Sequence, residues 1–382
     1  MKTLAIIGGS YLQRPLVAKA KAMGLRTLCF SIPEGAVCRE VADDFFPISI
    51  TEKDAILSVC RDCGIDGIVS IASDVAVPTV AYVAEKLGLV GNSMESAFKT
   101  TNKYAMRKAL VEGGVRCPRF SLVTSTAEAN RLWSGFEGPV IIKPCDRSGS
   151  LGVTKVDDPG ELPEAVSRAL TASFCGQAIM EAFIGEAKEI SIEGISWGSS
   201  YYPLAITDKV TSGPPNYVEL GHHQPSALPC AIIEEALDQV RLGLRALSIE
   251  VGATHPELMV TPEGEVFVTE IGARMGGDFI GSDLVELSTG YDFLRGVILV
   301  ALGDFERPVL SEGKRSGVWF HSPQTPWVGE VIRALPPELV RWELNEQEAK
   351  PLTRSADRSG YFIYQSDRDA DITFGSGALT VS

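Results

Sequence analysis

Two glutamates, Glu257 and Glu270, stand inside apolar runs that a Pro-Glu-Gly turn at 262–264 separates, and this pattern predicts a β-hairpin. A loop centred within that turn would pair Met259 with Val268 and Glu257 with Glu270. Like charges directly opposite each other lie roughly 4.5–5.5 Å apart at Cβ and destabilise a strand pair unless a cation lies between them. Mg²⁺ suits such carboxylates, because proteins usually hold it with one or two carboxylates and substrate phosphates. The pattern therefore predicts a magnesium site, with two solvated glutamates on an edge hairpin as the alternative.

A lysine and a glycine-rich loop form the second candidate group. Lys143 comes at the end of a strand predicted over 139–144, and Ser148-Gly149-Ser150 follows it closely. Small residues around a glycine leave backbone N–H groups free to wrap a phosphate. This stretch therefore predicts a phosphate-binding loop, with an ordinary hairpin loop as the alternative. Lys103 follows Asn102, a candidate capping residue, at the start of a predicted helix.

The elements that must position these residues begin with a parallel α/β sheet. Residues 4–7 are an apolar run that ends in two glycines, a helical pattern follows, and 27–30 is a second apolar run. Strand, glycine turn, helix and strand in this order are typical of a Rossmann-like domain. The chain of 382 residues is long enough for two or three domains. We expect an N-terminal α/β domain at 1–98, a central domain at 99–303 with a lobe at about 115–180, and a small mixed C-terminal domain at 304–382.

The middle of the chain predicts one polar strand face and one loop. Residues 189–195 alternate apolar and polar, which is typical of a half-buried strand whose polar face carries Glu189. Residues 209–221 are rich in Ser, Gly, Pro and Asn and predict a mobile loop. His222 and His223 follow it, and this pair could bind a metal, hydrogen-bond a substrate or have no role at the site.

Composition and charge narrow the classes of partner that we expect this protein to bind. The formal net charge of −14 argues against a nucleic-acid partner or an anionic membrane surface. No apolar run approaches the roughly 20 residues of a transmembrane helix, and the N-terminal run is too short for a signal peptide. Eight cysteines lie scattered without a disulfide framework, which indicates reduced thiols in a cytoplasmic protein. Cys60 and Cys63 form the only close pair, and buried thiols are favoured there over a redox or metal site.

The order of these features resembles the ATP-grasp superfamily, in particular the carboxylate–amine ligases of its biotin-carboxylase-like and L-amino-acid-ligase branch. The resemblance spans the chain from Gly8 to about Arg307. Its most specific part is H-x-E-L-x-x-T-x-x-G-x-x-x-x-x-E-I-x-x-R-x-G-G-D, which runs from His255 to Asp278. The resemblance implies an N-terminal pre-ATP-grasp domain, a two-lobed α+β ATP-grasp domain at 99–303 and the small C-terminal domain.

The resemblance also implies a role for each candidate residue. Glu257 and Glu270 would bind Mg²⁺ between the ATP phosphates, and Lys103 and Lys143 would contact those phosphates. The remaining nucleotide contacts would be the lid residues Ser148, Gly149 and Ser150, the adenine-reading hinge residues Glu181, Phe183 and Ile184, the ribose ligand Glu189 and the apolar adenine contact Met259.

Enzymes of this branch phosphorylate a carboxylate with ATP and let an amine attack the acyl phosphate. We therefore expect an ATP-dependent ligase whose small-molecule substrates are a carboxylate, plausibly an amino acid, and an amine. Arg274 follows Glu270 closely, and its planar guanidinium suits the carboxylate or acyl-phosphate oxygens, so Arg274 and Lys143 are the expected catalytic residues. The expected cofactors are ATP and one or two Mg²⁺ ions, for which Mn²⁺ can substitute. A homodimer is the expected assembly.

Two departures from the family pattern leave alternatives open. Many relatives carry Asn where this chain has Gly272, so one oxygen ligand is lost and the metal count is undecided. Residues 311–382 lack a clear match to the family's usual end, which leaves the substrate unnamed. The alternatives are a ligase or carboxylase that activates bicarbonate or formate, and an ATP-binding regulatory protein without turnover.

Overall fold

The structure is a computed structural model that describes residues 1–149, 151–214, 216–345 and 350–368. Its first part is a four-stranded parallel sheet in the order β3-β2-β1-β4, with helices between the strands. The elements are β1 (Thr3–Ile7), α1 (Arg14–Ala22), β2 (Arg26–Phe30), β3 (Asp44–Phe46), α2 (Lys53–Cys63), β4 (Gly67–Val69) and α3 (Val77–Leu87). Every residue of β1 is buried, since helices cover both faces of a parallel sheet. The predicted Rossmann-like opening is confirmed.

Two short helices, α4 (Met94–Thr101) and α5 (Lys103–Glu112), lead out of this sheet. Asn102 separates them, and its side chain caps α5 by accepting a hydrogen bond from the Ala105 backbone N–H at 3.0 Å. The backbone N–H of Lys103 donates to the Cys145 carbonyl at 2.7 Å. The start of α5 is thereby fixed beside the glycine-rich loop.

The lobe that follows is a four-stranded antiparallel sheet in the order β5-β8-β6-β7. It contains β5 (Phe120–Val123), α6 (Thr126–Trp133), β6 (Val140–Pro144), β7 (Thr154–Val156), α7 (Leu162–Ala172) and β8 (Ala178–Ala182). Buried side chains of α6 and α7 pack on β6 and β8 and form this lobe's own core. The strand predicted to end near Lys143 is therefore present as β6.

An eight-stranded antiparallel sheet carries the rest of the chain, in the order β13-β12-β9-β10-β11-β14-β16-β15. Its strands are β9 (Lys188–Trp197), β10 (Ser200–Thr211), β11 (Glu219–Gln224), β12 (Val251–Val260), β13 (Val266–Gly272), β14 (Lys314–His321), β15 (Leu339–Leu344) and β16 (Gly360–Asp367). The helices are α8 (Cys230–Ala246), α9 (Val285–Thr289), α10 (Phe293–Ala301) and α11 (Trp327–Ala334). In the described part of the chain, no helix is both long and apolar enough to cross a membrane.

Two findings change the picture drawn from the sequence. The stretch 209–221 is not a loop throughout, because β10 runs to Thr211 and β11 begins at Glu219. The C-terminal strands do not form a sheet of their own, because β14 pairs with β11 and extends the sheet that holds the glutamate hairpin. The domain boundaries at 98/99 and 303/304 stay a prediction.

The hairpin of β12 and β13 places Glu257 directly opposite Glu270, as the sequence predicts. Nearer the turn the predicted register is wrong by one residue, since Met259 pairs with Phe267 and not with Val268. The Thr261 backbone N–H donates to the Glu265 carbonyl at 2.9 Å, so the loop holds an odd number of residues. A β-bulge between the Leu258 and Glu257 pairs then restores the glutamate pairing.

Candidate active site

The glutamate pair is surrounded by three cationic side chains from different parts of the chain. Lys103 Nζ lies 3.2 Å from Glu270 Oε1, and Lys209 Nζ lies 2.8 Å from Glu257 Oε1. His255 Nε2 lies 3.3 Å from the same Glu257 oxygen. Burial alone would raise the pKa of Glu257, but Lys209 and His255 hold it well below its usual range. The repulsion expected between the glutamates is therefore offset by these cations in the described structure.

Lys209 is a functional candidate that the sequence reasoning missed. Its side chain is only 3 % exposed, and its ammonium contacts Glu189 and Glu257 and lies 3.9 Å from Glu219. The residue lies on β10 opposite His222 of β11. The alternation of buried residues in β10 continues through Thr207 and Lys209, but both are polar, so an apolar pattern gave no signal.

Glu189, Glu257 and Met259 share one face of the eight-stranded sheet. Met259 pairs with Glu189 across β12 and β9, and Glu257 pairs with Ser191. Met259 is half-buried, whereas the alternate residues Leu258 and Val260 face the core. The residues predicted for the ribose, the metal and the adenine ring therefore do lie next to one another.

A buried charge cluster joins the lobe to α5. Glu181 on β8 is 5 % exposed, with Lys143 Nζ 2.5 Å from Oε2 and Arg107 Nε 2.6 Å from Oε1. Burial alone would raise the pKa of Glu181, but Arg107 and Lys143 keep it below its usual range. Burial lowers the pKa of Lys143. The carboxylate expected at the adenine edge is thus held by two cations, one of which, Arg107, the sequence reasoning missed.

The hinge between the two sheets follows Glu181. The Phe183 backbone N–H donates to the Pro139 carbonyl at 3.0 Å, and the Phe183 ring centroid lies 6.5 Å from that of Tyr217. Ile184 is half-buried in the segment between β8 and β9. Both residues therefore stand at the junction where the resemblance puts the adenine, and that role stays a prediction.

The glycine-rich loop lies over the start of α5. Lys103 Nζ donates to the Arg147 carbonyl at 2.8 Å, immediately before the exposed residues Ser148 and Gly149. Gly149 has a φ of +67°, a backbone conformation that glycine adopts without strain. Ser150 lies outside the described residues. The same lysine thus contacts Glu270 and the root of the predicted lid.

His255 links Glu257 to a second buried acid, Glu193. His255 Nδ1 bonds to a Glu193 oxygen, and the Gly276 backbone N–H donates to the other at 3.0 Å. Burial lowers the pKa of His255, but Glu193 and Glu257 raise it to about 9. Glu193 is fully buried, and the alternation that placed it on the polar face of β9 was the signal that could have found it.

Arg274 and Asp278 of the motif each form an ion pair with a residue from elsewhere in the chain. Arg274 makes two hydrogen bonds to Asp74, a residue that the sequence reasoning did not single out. Asp278 accepts hydrogen bonds from Arg358 Nη1 and Nη2 at 2.8 and 2.9 Å. His222 Nε2 lies 4.0 Å from Asp278. Arg274 and Asp278 thus tie the hairpin to the first sheet and to the C-terminal segment.

The described residues give no support to the other metal candidates of the sequence. His223 Nδ1 lies 3.1 Å from the Tyr364 hydroxyl, and Cys60 and Cys63 are free thiols. Among the described residues, no group of three or more His, Cys, Asp or Glu side chains is arranged to hold a metal ion. A metal at the glutamate pair would therefore take its remaining ligands from a bound molecule, as Mg²⁺ does from phosphates.

Comparison with known proteins identifies the central part of the chain. A family model of the ATP-grasp domain matches residues 136–283, which include β6, β8, β9 and the glutamate hairpin. Alanine–anticapsin ligase of Bacillus subtilis (strain 168) is 26% identical over 243 residues, which cover 58% of this chain and 51% of that ligase. The chain thus spans about half the length of this relative.

Solved structures share the fold over nearly the whole chain. An L-amino acid ligase from Bacillus licheniformis has a TM-score of 0.80 and 24% identity, covering 96% of this chain and 93% of that one. The biotin carboxylase domain of Hydrogenobacter thermophilus 2-oxoglutarate carboxylase, a dimer with MgADP, ADP and bicarbonate, has a TM-score of 0.76 and 16% identity, covering 96% and 86%. Likeness at these identities establishes the predicted fold class.

Proposed function

We propose that this chain, whose residues 136–283 match the ATP-grasp domain, is an ATP-dependent carboxylate–amine ligase. It would activate a carboxylate as an acyl phosphate and join it to an amine, forming an amide or peptide bond. The similarity to alanine–anticapsin ligase and to an L-amino acid ligase supports an amino acid as one substrate.

The observation that carries the proposal is the opposed pair of Glu257 and Glu270 with cations on both sides. Two carboxylates without a third protein ligand fit Mg²⁺ that is shared with nucleotide phosphates. When bound, ATP would supply the phosphoryl group and Mg²⁺ would neutralise its charge. The structurally similar biotin carboxylase domain of Hydrogenobacter thermophilus contains MgADP, which supports this cofactor pair. Gly272 adds no side-chain oxygen, so we propose one Mg²⁺ held by protein oxygens, with Mn²⁺ able to replace it and a second ion held mainly by phosphate.

The cationic residues of the site would have different roles in binding phosphate, offsetting the glutamate charges and binding the acid. Lys103 and Lys143 bind phosphate oxygens, because each ammonium is held beside the cluster by α5 or by the end of β6. Lys209 contacts both Glu189 and Glu257 and offsets the repulsion between their charges. Arg274 binds the acid, since a guanidinium offers paired N–H groups that match a carboxylate or acyl phosphate. None of these residues acts as a nucleophile, which agrees with phosphoryl transfer by positioning and electrostatics.

The nucleoside would lie between the two antiparallel sheets. Glu189 would bind the ribose hydroxyls and Met259 would pack under the adenine, and their adjacency across β9 and β12 supports this. Phe183 and Ile184 would line the adenine edge from the hinge, and Glu181 would act through Lys143. Ser148, Gly149 and Ser150 would cover the phosphates, with Ser150 placed there by the sequence alone.

A second candidate function is favoured by the likeness to a biotin carboxylase domain that contains bicarbonate. In that case the activated acid would be bicarbonate or formate, and the same cations would serve. The dimer in that neighbour supports, for this chain too, the homodimer that the sequence analysis expects. A chain that binds ATP without turnover is the remaining alternative.

The test is ADP release in a coupled assay with Mg²⁺, ATP and the proteinogenic amino acids, singly and in pairs. We expect at least one acid and amine pair to stimulate ADP formation, and hydroxylamine to trap the activated acid as a hydroxamate. Stimulation by bicarbonate or formate alone would favour the second candidate. The ligase proposal fails if no acid and amine pair raises ADP formation above background.

A further inference from the structure

Arg274 is held by Asp74, an acidic residue in the segment between β4 and α3 of the N-terminal part of the chain. Arg274 Nε donates to Asp74 Oδ1 at 2.8 Å, and Nη2 donates to Asp74 Oδ2 at 3.0 Å. Each side chain is 14 % exposed. Burial alone would raise the pKa of Asp74, but Arg274 keeps it below its usual range. The pair is therefore a charged, two-point contact away from bulk water.

The contact with Asp74 uses one edge of the Arg274 guanidinium and leaves a second edge unoccupied by Asp74. A guanidinium has one N–H on Nε and two each on Nη1 and Nη2. Asp74 takes the Nε and Nη2 side, and Nη1 makes one long contact of 3.4 Å with the Met275 carbonyl. One N–H of Nη1 and one of Nη2 therefore have no hydrogen-bond partner among the described residues. Nη1 and Nη2 form the outer edge of a guanidinium, which can bind a carboxylate or phosphate with two parallel hydrogen bonds.

Arg358 provides the contrast within the same molecule. Asp278 bonds to both Nη1 and Nη2 of Arg358, so the outer pair of that guanidinium is occupied. The two arginines have similar burial, with side chains 14 % and 7 % exposed. The difference between them lies in which edge the aspartate occupies. Arg358 is thus a structural ion pair, and Arg274 keeps its binding edge.

Two hydrogen bonds fix the loop just before Asp74. The Gln13 side chain donates to the Ile71 carbonyl at 2.8 Å, and the Ala72 backbone N–H donates to the Met275 carbonyl at 3.1 Å. Asp74 begins a short 3₁₀ helix, Asp74–Ala76, directly before α3. The carboxylate is therefore presented by a segment that is hydrogen-bonded to the residue after Arg274.

Gly272 leaves the space that this pair needs. A Cβ atom at Gly272 would lie 3.3 Å from Arg274 Cζ and 3.4 Å from both Arg274 Nε and Asp74 Oδ1. Glu270 and Gly272 are two residues apart on β13, so the pair fills the position next to the glutamate on that strand. The absence of a side chain at 272 and the presence of Asp74 are thus parts of one local arrangement.

We propose that Asp74 is a positioning residue that holds Arg274 side-on and turns its free Nη1 and Nη2 edge toward the carboxylate of the acid substrate. The inference rests on the proposed function, in which Arg274 binds that acid. It adds that the segment after β4, through the Asp74 carboxylate, sets the orientation of the acid relative to the glutamate pair. Asp74 itself does not contact the substrate.

The first test needs no substrate. Butanedione condenses with the Nη1 and Nη2 atoms of arginine, and peptide mass spectrometry gives the rate at each residue. We expect Arg274 to react about fivefold faster than Arg358, because only Arg274 has a free outer edge. In Asp74→Asn the rate at Arg274 should change about threefold or more, with Arg358 unchanged. Equal rates at the two arginines, or a rate at Arg274 that ignores the substitution, would overturn the proposal.

The second test uses the amino acid that best stimulates ADP release. Asp74→Asn should raise the KM for that acid about tenfold while the half-saturating ATP concentration stays within about twofold. In an Arg274→Lys background the same substitution should add less than about twofold. Asp304→Asn, which removes the carboxylate that pairs with Lys2 in an exposed contact, is the matched control and should behave as wild type.

The possible results of these tests separate the positioning role of Asp74 from the ligase proposal. A KM for the acid that does not change in Asp74→Asn, a parallel loss of ATP affinity, or full additivity with Arg274→Lys overturns the positioning role. If no acid and amine pair stimulates the wild-type chain, the ligase proposal fails by that result alone, and the butanedione rates then decide whether Asp74 orients Arg274.

Discussion

At the scale of single residues, the site is a balance of buried charge. Glu257 and Glu189 face Lys209, Glu270 faces Lys103, and Glu181 faces Lys143 and Arg107. Removing one partner from such a group leaves an uncompensated buried charge, which costs more than an exposed ion pair is worth. The single residues of the site are therefore expected to affect stability as well as activity.

Lys209→Met should destabilise the nucleotide-free protein by about 3 kcal/mol, because Glu189 and Glu257 lose the ammonium between them. Urea unfolding gives the free energy. Lys188→Met is the matched control, since Lys188 is 48 % exposed and its contact with Asp208 is 3.4 Å long, and it should cost less than about 1 kcal/mol. Equal stability of Lys209→Met and wild type would show that the three-residue contact contributes nothing.

At the scale of elements, α5 and the β12–β13 hairpin bring the cluster together. Lys103 and Arg107 are one turn apart on α5 and both are buried, so the helix presents two cations to one side. Arg107 Nη2 also donates to the carbonyl of Thr269, the extra residue of the bulge that restores the glutamate pairing. The helix thus connects the hairpin to Glu181 of the neighbouring lobe.

Arg107→Met should destabilise the protein by about 3–5 kcal/mol, because Glu181 and the Thr269 carbonyl lose a fully buried partner. Lys108→Met, at the next position of the same helix, is exposed and should stay within about 0.5 kcal/mol of wild type. Combining Arg107→Met with Glu181→Gln should cost more than Arg107→Met alone, since Lys143 then loses its buried carboxylate partner. A double variant as stable as Arg107→Met would contradict this account.

Local patterns in the sequence predicted the elements and the acidic half of the site. Glu257 and Glu270 were found because charged residues interrupt apolar alternation, and Lys143 because a strand ends at a lysine. Lys209, Arg107 and Asp74 were not found, because each gains its role from a partner at least 20 residues away in the chain. The register near the turn was mispredicted because neither the odd loop nor the bulge has a signature in residue type.

At the scale of the whole molecule, the C-terminal segment is part of the central sheet. β14 hydrogen-bonds to β11 across Gly221–Gln224, and Arg358 anchors Asp278 of the motif. Strands β14, β15 and β16 therefore complete the sheet that holds the candidate site.

Truncation after Gly303 should give a chain that aggregates or unfolds, because β11 becomes an exposed edge and Asp278 loses Arg358. Size-exclusion chromatography and circular dichroism of the truncated and full chains would measure this. A truncated chain that keeps the oligomeric state of the full chain, stays folded and binds ATP would contradict the structural account and would support an independent domain after residue 303.

The most direct test of the central claim compares Glu270→Gln with Glu263→Gln for Mg²⁺-dependent ADP formation with the best acid and amine pair. Both substitutions remove one glutamate charge from the same hairpin, but Glu263 lies exposed in the turn. We predict a loss of about 10²-fold or more in kcat for Glu270→Gln and wild-type turnover for Glu263→Gln, because of the two only Glu270 belongs to the proposed phosphate and metal site. Unaltered turnover in Glu270→Gln would contradict the assignment of the glutamate pair as the metal site.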